Sequence, residues 1–164
     1  MRKLRLYLDT SVIGDLDAPE NSDRGMITKE FFRIVATTPN EYELFISPTG
    51  MGEINAAPVE KRQILLALLR SLNYIALPEN REAHNLARLY VEEGVLPARH
   101  IKDLTHIAYA VCARCDYILS WNMKHFVRIQ TISRVNAVNA IYRYPNVIIA
   151  TPVIITGERR DEND

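Results

Sequence analysis

The chain has 164 residues, 48% of them hydrophobic and 24% charged, with 20 basic side chains balancing 20 acidic ones. Such a length suits one domain, and the composition is that of a folded globular protein, which excludes a disordered chain. A net charge of zero excludes a global field for nucleic acid or membranes, so binding of either must come from a local patch.

The amino terminus MRKLRLYLDT is basic, but Arg5 and Asp9 interrupt its apolar stretch, so it does not read as a signal peptide. No window approaches the ~18 apolar residues that span a bilayer. The expected location is cytoplasmic. The apolar run from Leu4 to Leu8 reads as a buried parallel strand, and Asp9, Thr10 and Ser11 follow at its carboxyl end. Open α/β sheets place ligands there, although the same three residues also suit the cap of a following helix.

Thr28 to Ala36 alternates charged and apolar residues as a surface helix does. A second strand from Tyr42 to Ser47 runs through SPTGMGEINAA into a helix, setting Glu53 about one turn past the loop. Val59 to Leu72 repeats Ile64, Leu65, Leu68, Leu69 and Leu72 at helical spacing. Tyr74 to Leu77 is a third strand, and Glu79 to Glu93 a helix punctuated by Pro78 and Gly94.

From His100 to Ala113, the residues Ile101, Leu104, Ile107, Ala108 and Val111 form a core-facing stripe with Asp103 and His106 beside it. Cys112 and Cys115 make a single C-x-x-C with no second pair of ligands, and read as reduced, mostly buried thiols. Tyr117 to Ser120 is the fourth strand, followed by Trp121 and by Asn122, which suits a cap for a helix containing MKHF. Ile132 to Tyr144 is a helix closed by Pro145, and Val147 to Ala150 the fifth strand. Residues 1–156 are expected as one domain and 157–164 as a frayed polar tail. Strands alternating with helices imply right-handed crossovers and a parallel sheet of about five strands, covered on both faces.

In such a sheet the carboxyl ends of the strands share one edge, which brings together Asp9, Glu53, Asp103 and Asn122. Three carboxylates and an amide oxygen are hard ligands that suit Mg²⁺ or Mn²⁺ better than zinc. Mutual repulsion among the acids is relieved by the same cation. The chemistry this arrangement serves best is hydrolysis of a phosphodiester. Lys124, His125 and Arg128 beyond Asn122, and Arg99, His100 and Lys102 ahead of Asp103, suit phosphate contact and equally a solvated helix face. His106 reads as a histidine behind the site rather than a general base, and Trp121 as packing rather than a stacking platform. A phosphatase or nucleotide-binding protein is disfavoured because no glycine-rich phosphate loop is present.

The pieces LYLDTSVIG, ISPTGMGEI, KDLTHIAYAVCARCDYILSWNMKHF and VNAVNAIYRYPNVIIATPVII together resemble the PIN domains, whose largest group is the VapC-type ribonuclease toxins. The resemblance implies a three-layer α/β/α sandwich and Mg²⁺- or Mn²⁺-dependent endoribonuclease activity on RNA. It also implies a homodimer and a small antitoxin partner covering the acidic pocket. Asp9, Glu53 and Asp103 fall on the family's three catalytic acids, and Ser11 on the hydroxyl position beside the first. The fourth acidic position is Asn122, within Ser120-Trp121-Asn122, a pattern that looks like an S/T-W-N-x-K-H subgroup. An amide supplies no charge, so a catalytically weak PIN-like module that binds RNA or protein is the second reading.

Overall fold

Alternate residues of a strand point to opposite faces of the sheet. Along β1 (Leu4–Leu8), Leu6 and Leu8 enter one apolar cluster while Tyr7 enters the other. In β2 (Tyr42–Ile46), Leu44 and Ile46 join the first cluster and Phe45 the second. The remaining strands are β3 (Tyr74–Ala76), β4 (Tyr117–Leu119) and β5 (Ile148–Ala150). The computed structural model describes residues 2–161, and among these the five strands form one sheet in the order β3-β2-β1-β4-β5. Every pairing is parallel.

Two helical layers cover that sheet. On the face of Leu6 lie α1 (Thr10–Gly14), α2 (Asp23–Thr37), α3 (Pro48–Asn55), α4 (Val59–Arg70) and α8 (Val153–Asp161), contributing Ile13, Phe31, Ile54, Leu65 and Ile155. The face of Tyr7 is covered by α5 (Arg81–Glu92), α6 (Ile101–Cys112) and α7 (Ile129–Ile141), through Leu86, Ile107 and Val135. The expected α/β/α sandwich with its five-stranded parallel sheet is therefore present. No helix among the described residues is long and apolar enough to cross a membrane.

Local chemistry moves several boundaries. α2 begins five residues ahead of Thr28 because the Ser22 hydroxyl accepts from the Gly25 amide at 3.1 Å, a cap that starts the helix early. Glycine is required there, since a Cβ on residue 25 would lie 2.8 Å from that of Ala18. α7 starts at Ile129, three residues before the expected start. α5 ends where Gly94 turns to φ 73° and the Val95 amide donates to the Tyr90 carbonyl at 2.9 Å. Residues 123–126, expected as a helix, form turns instead. The Asn122 side chain caps that turn by accepting from the His125 amide at 3.0 Å. α8 runs through residues 157–161 of the expected tail, and residues 162–164 of that tail lie outside the described residues.

Both cysteines are free, Cys115 buried and Cys112 half-buried. Burial pushes the Cys112 thiol up to about 11 and the Cys115 thiol up to about 12. Neither is a thiolate at neutral pH.

Candidate functional site

β1 and β4 are neighbours, so their carboxyl ends deliver Asp9 and Ser120 side by side although 111 residues separate them. Asp9 is buried, and its Oδ2 accepts from the Ser11 hydroxyl at 2.6 Å and the Ser120 hydroxyl at 2.8 Å. Two short charge-assisted bonds to one oxygen fix the carboxylate. The Trp121 amide donates to Ser11 Oγ at 2.9 Å, and the Asn122 amide to Ser120 Oγ at 3.0 Å, so the hydroxyls are themselves oriented.

A second chain of hydrogen bonds runs behind the acids. Gly50 N–H donates to Ser47 Oγ at 3.1 Å, Ser47 Oγ lies 2.6 Å from the Tyr7 hydroxyl, and that hydroxyl lies 2.6 Å from His106 Nδ1. His106 Nε2 lies 2.5 Å from Glu53 Oε1 and 3.8 Å from Asp9 Oδ1. With Tyr7 as a donor in this row, His106 donates its Nε2 proton to Glu53, leaving every member satisfied. Burial pushes the Tyr7 phenol well up, so it stays protonated and available as that donor. For Glu53, half-burial works to raise the carboxyl, but the His106 hydrogen bond and charge, and then Lys102, outweigh it. Glu53 is held below the usual carboxylate range and is ionised at neutral pH.

Asp9, Glu53, Asp103 and Asn122 all line one open cleft of about 370 Å³, together with Ser11, Arg24 and Lys61. The acids share the cleft without crowding. Among the described residues, the one group whose ligand atoms all lie within 4.8 Å of one another is His100, Asp103 and His125, not the three acids. Oxygen donors spaced around a roomy cleft fit a hydrated Mg²⁺ or Mn²⁺, which binds through one or two carboxylates and keeps several waters. Asp103 Oδ2 accepts from His125 Nδ1 at 2.9 Å, so the partly exposed His125 ring is engaged by an acid. Lys124 and Arg128 are exposed, and neither lines the cleft.

The cations at the cleft are instead Arg24 and Lys61, on α2 and α4. Arg24 is aligned by Asp15, whose Oδ2 accepts from its Nε at 3.0 Å, and its guanidinium lies 5.0 Å from the Trp121 ring centroid. Trp121 itself is buried and donates from Nε1 to Thr28 Oγ1 at 2.9 Å, tying β4's end to α2. Sequence patterning marks neither Arg24 nor Lys61, and it includes Ser120 only as the first residue of the Ser120-Trp121-Asn122 pattern. The first two look like ordinary helix-surface charges and the third like the end of a strand.

No family model matches the chain. No curated protein matches it either. Among solved structures, the chain resembles VapBC2 from Rickettsia felis, a structure bound to a DNA fragment from their promoter. That match has a TM-score of 0.57 at 15% identity, covering 89% of this chain and 97% of the other. It also resembles Mycobacterium tuberculosis VapC20, a Sarcin-Ricin loop cleaving toxin, with a TM-score of 0.54 at 14% identity over 73% of this chain and 92% of the other. At these identities the likeness is one of fold, and the fold is PIN-like.

Proposed function

We propose that this protein is a Mg²⁺- or Mn²⁺-dependent endoribonuclease of the VapC type, the toxin component of a toxin–antitoxin pair. The observation that carries the reading is the lining of a single cleft by Asp9, Glu53, Asp103 and Asn122 at the carboxyl edge of the sheet. The fold shared with VapC20, a Sarcin-Ricin loop cleaving toxin, supports it.

In this reading Asp9, Glu53 and Asp103 hold the cation, and Asn122 adds an amide oxygen. A divalent cation bound there supplies Lewis acidity at the phosphoryl group and acidifies a coordinated water. Ser11 and Ser120 hold Asp9 in place, and His106 does the same for Glu53. Arg24 and Lys61 meet the RNA backbone at the cleft, with Lys124 and Arg128 further along the same strand of substrate. A homodimer in the cytoplasm, neutralised by a small antitoxin that covers the cleft, completes the proposal.

Incubation of purified protein with RNA and Mn²⁺ tests it. Cleavage is expected, and Asp9→Asn abolishes it; an Asp9→Asn protein as active as wild type overturns the assigned site. A module that binds without cutting is favoured by one observation, that Asn122 Oδ1 already accepts from the His125 amide. Calorimetry with Mn²⁺ separates the two, because a binding module gives no heat that Asp9→Asn removes.

A further inference from the structure

His100 directly precedes α6, Asp103 lies in the first turn of that helix, and His125 stands in the turn after β4. Asp103 Oδ2 lies 2.9 Å from His125 Nδ1 and 3.6 Å from His100 Nδ1, and the three ligand atoms fall within 4.8 Å of one another. The imidazole rings face each other at 4.0 Å between centroids, tilted by 53°. His125 is fixed in this pose by its own amide, which donates to Asn122 Oδ1.

Zinc bonds of ~2.0–2.2 Å to nitrogen and oxygen set neighbouring donors of a tetrahedral site ~3.3–3.5 Å apart. The two measured separations bracket that spacing, so a cation entering between the donors needs only a small contraction of one pair and expansion of the other. Two imidazole nitrogens and one carboxylate oxygen are the wrong donors for magnesium and suitable ones for Zn²⁺, Co²⁺ or Ni²⁺. We propose that His100, Asp103 and His125 form a second cation site, selective for borderline transition metals, that shares Asp103 with the carboxylate cleft.

Binding carries a defined tautomeric cost. Arg99 Nε donates to His100 Nε2 at 3.2 Å, which leaves the proton of a neutral His100 on Nδ1. Ligation through Nδ1 moves that proton to Nε2 and releases Arg99; the Nδ1 proton of a neutral His125 moves to its Nε2 in the same way, so both rings change tautomer without net proton release. A metal here holds Asp103 by Oδ2 and draws it from the cleft, weakening Mn²⁺ binding by Asp9 and Glu53. That last consequence rests on the proposed nuclease reading, whereas the site itself does not.

Zn²⁺ titration of the full chain, followed through its four imidazoles by ¹⁵N–¹H NMR, tests the assignment. The expected result is that His100 and His125 shift together at one equivalent while His84 does not. Co²⁺ is expected to give visible d–d bands of a nitrogen and oxygen site that persist in Asp9→Asn. His100→Ala and His125→Ala, each checked for folding by circular dichroism, are expected to lower Co²⁺ affinity at least about tenfold. Zn²⁺ that leaves His100 and His125 unmoved in the wild-type chain overturns the site, as do Co²⁺ bands lost in Asp9→Asn. If Zn²⁺ binds as described but Mn²⁺ finds no site in the cleft, the nuclease reading fails and the second site stands.

Discussion

His106 Nε2 and Glu53 Oε1 meet at 2.5 Å, which joins α6 to α3 at the back of the carboxylate cleft. The histidine is almost wholly buried and the glutamate half-exposed, so the contact carries orientation from the core out to an acid that lines the cleft. His106→Phe keeps an aromatic ring but removes both nitrogens. Mn²⁺ affinity is expected to fall about 10- to 100-fold, the usual loss when a ligand's hydrogen-bonded support is removed. Calorimetry measures this directly, and unchanged affinity in a folded variant reduces His106 to a packing residue.

The Tyr7 hydroxyl sits between Ser47 Oγ and His106 Nδ1 in a buried row. Tyr7→Phe leaves both neighbours without that partner, and a buried polar group so stranded costs about 1–3 kcal/mol. Urea unfolding monitored by circular dichroism is expected to show a loss of that size with little change in slope. A variant as stable as wild type shows that water replaces the hydroxyl.

Ser120→Ala removes one of the two hydroxyls on Asp9 Oδ2 and also the acceptor of the Asn122 amide. Cleavage is expected to weaken rather than vanish, because Ser11 still holds the carboxylate. The double change of Ser11 and Ser120 to alanine is expected to exceed the sum of the two single effects, since both act on one oxygen. Kinetics on the three variants decide it: simple additivity shows that the hydroxyls act separately.

Thiol chemistry gives a pH dependence of stability. The folded Cys115 thiol lies at about 12 against an ordinary 9.0, so folding favours its protonated form. That contribution is fully present below pH ~9, where the unfolded thiol is also protonated, and is lost as pH rises toward 12. Stability is therefore expected to decline from pH 9 upward. Disulfide-exchange reagents at pH 8 are expected to leave Cys115 untouched until urea unfolds the chain; rapid labelling of the native protein contradicts this.

Much of the architecture is legible in the sequence because it is written in short-range pattern. Leu4 to Leu8 reads as a strand and is one, and the alternation of strands with helices implies the parallel sheet that forms. Glu53 and Asp103 are legible as edge acids for the same reason: each follows a recognisable strand or opens a recognisable helix. The less legible parts depend on contacts between distant residues or on side-chain bonds with local competitors. The early start of α2 hangs on Ser22 and Gly25, and MKHF loses its helix to the Asn122 cap. Ser120 acquires its role only through Asp9, and Arg24 through Asp15 and Trp121. His125 reads as a phosphate contact by its basic neighbours, yet in the fold it faces Asp103.

The sheet order sets when the cleft comes into being as the polypeptide is made. β1 precedes the other four described strands in the chain, but its carboxyl end is completed by β4, whose Leu119 carbonyl accepts from the Asp9 amide at 3.0 Å. Contacts this far apart in the chain form late, because the closure entropy of the intervening segment must be overcome first. A nascent chain halted anywhere before α6 lacks Asp103, and one halted before β4 leaves Asp9 without Ser120. Translation thus runs through roughly three quarters of the sequence before the acids, their hydroxyl supports and Asn122 coexist. A product terminated ahead of β4 carries Asp9 but not the assembled cleft.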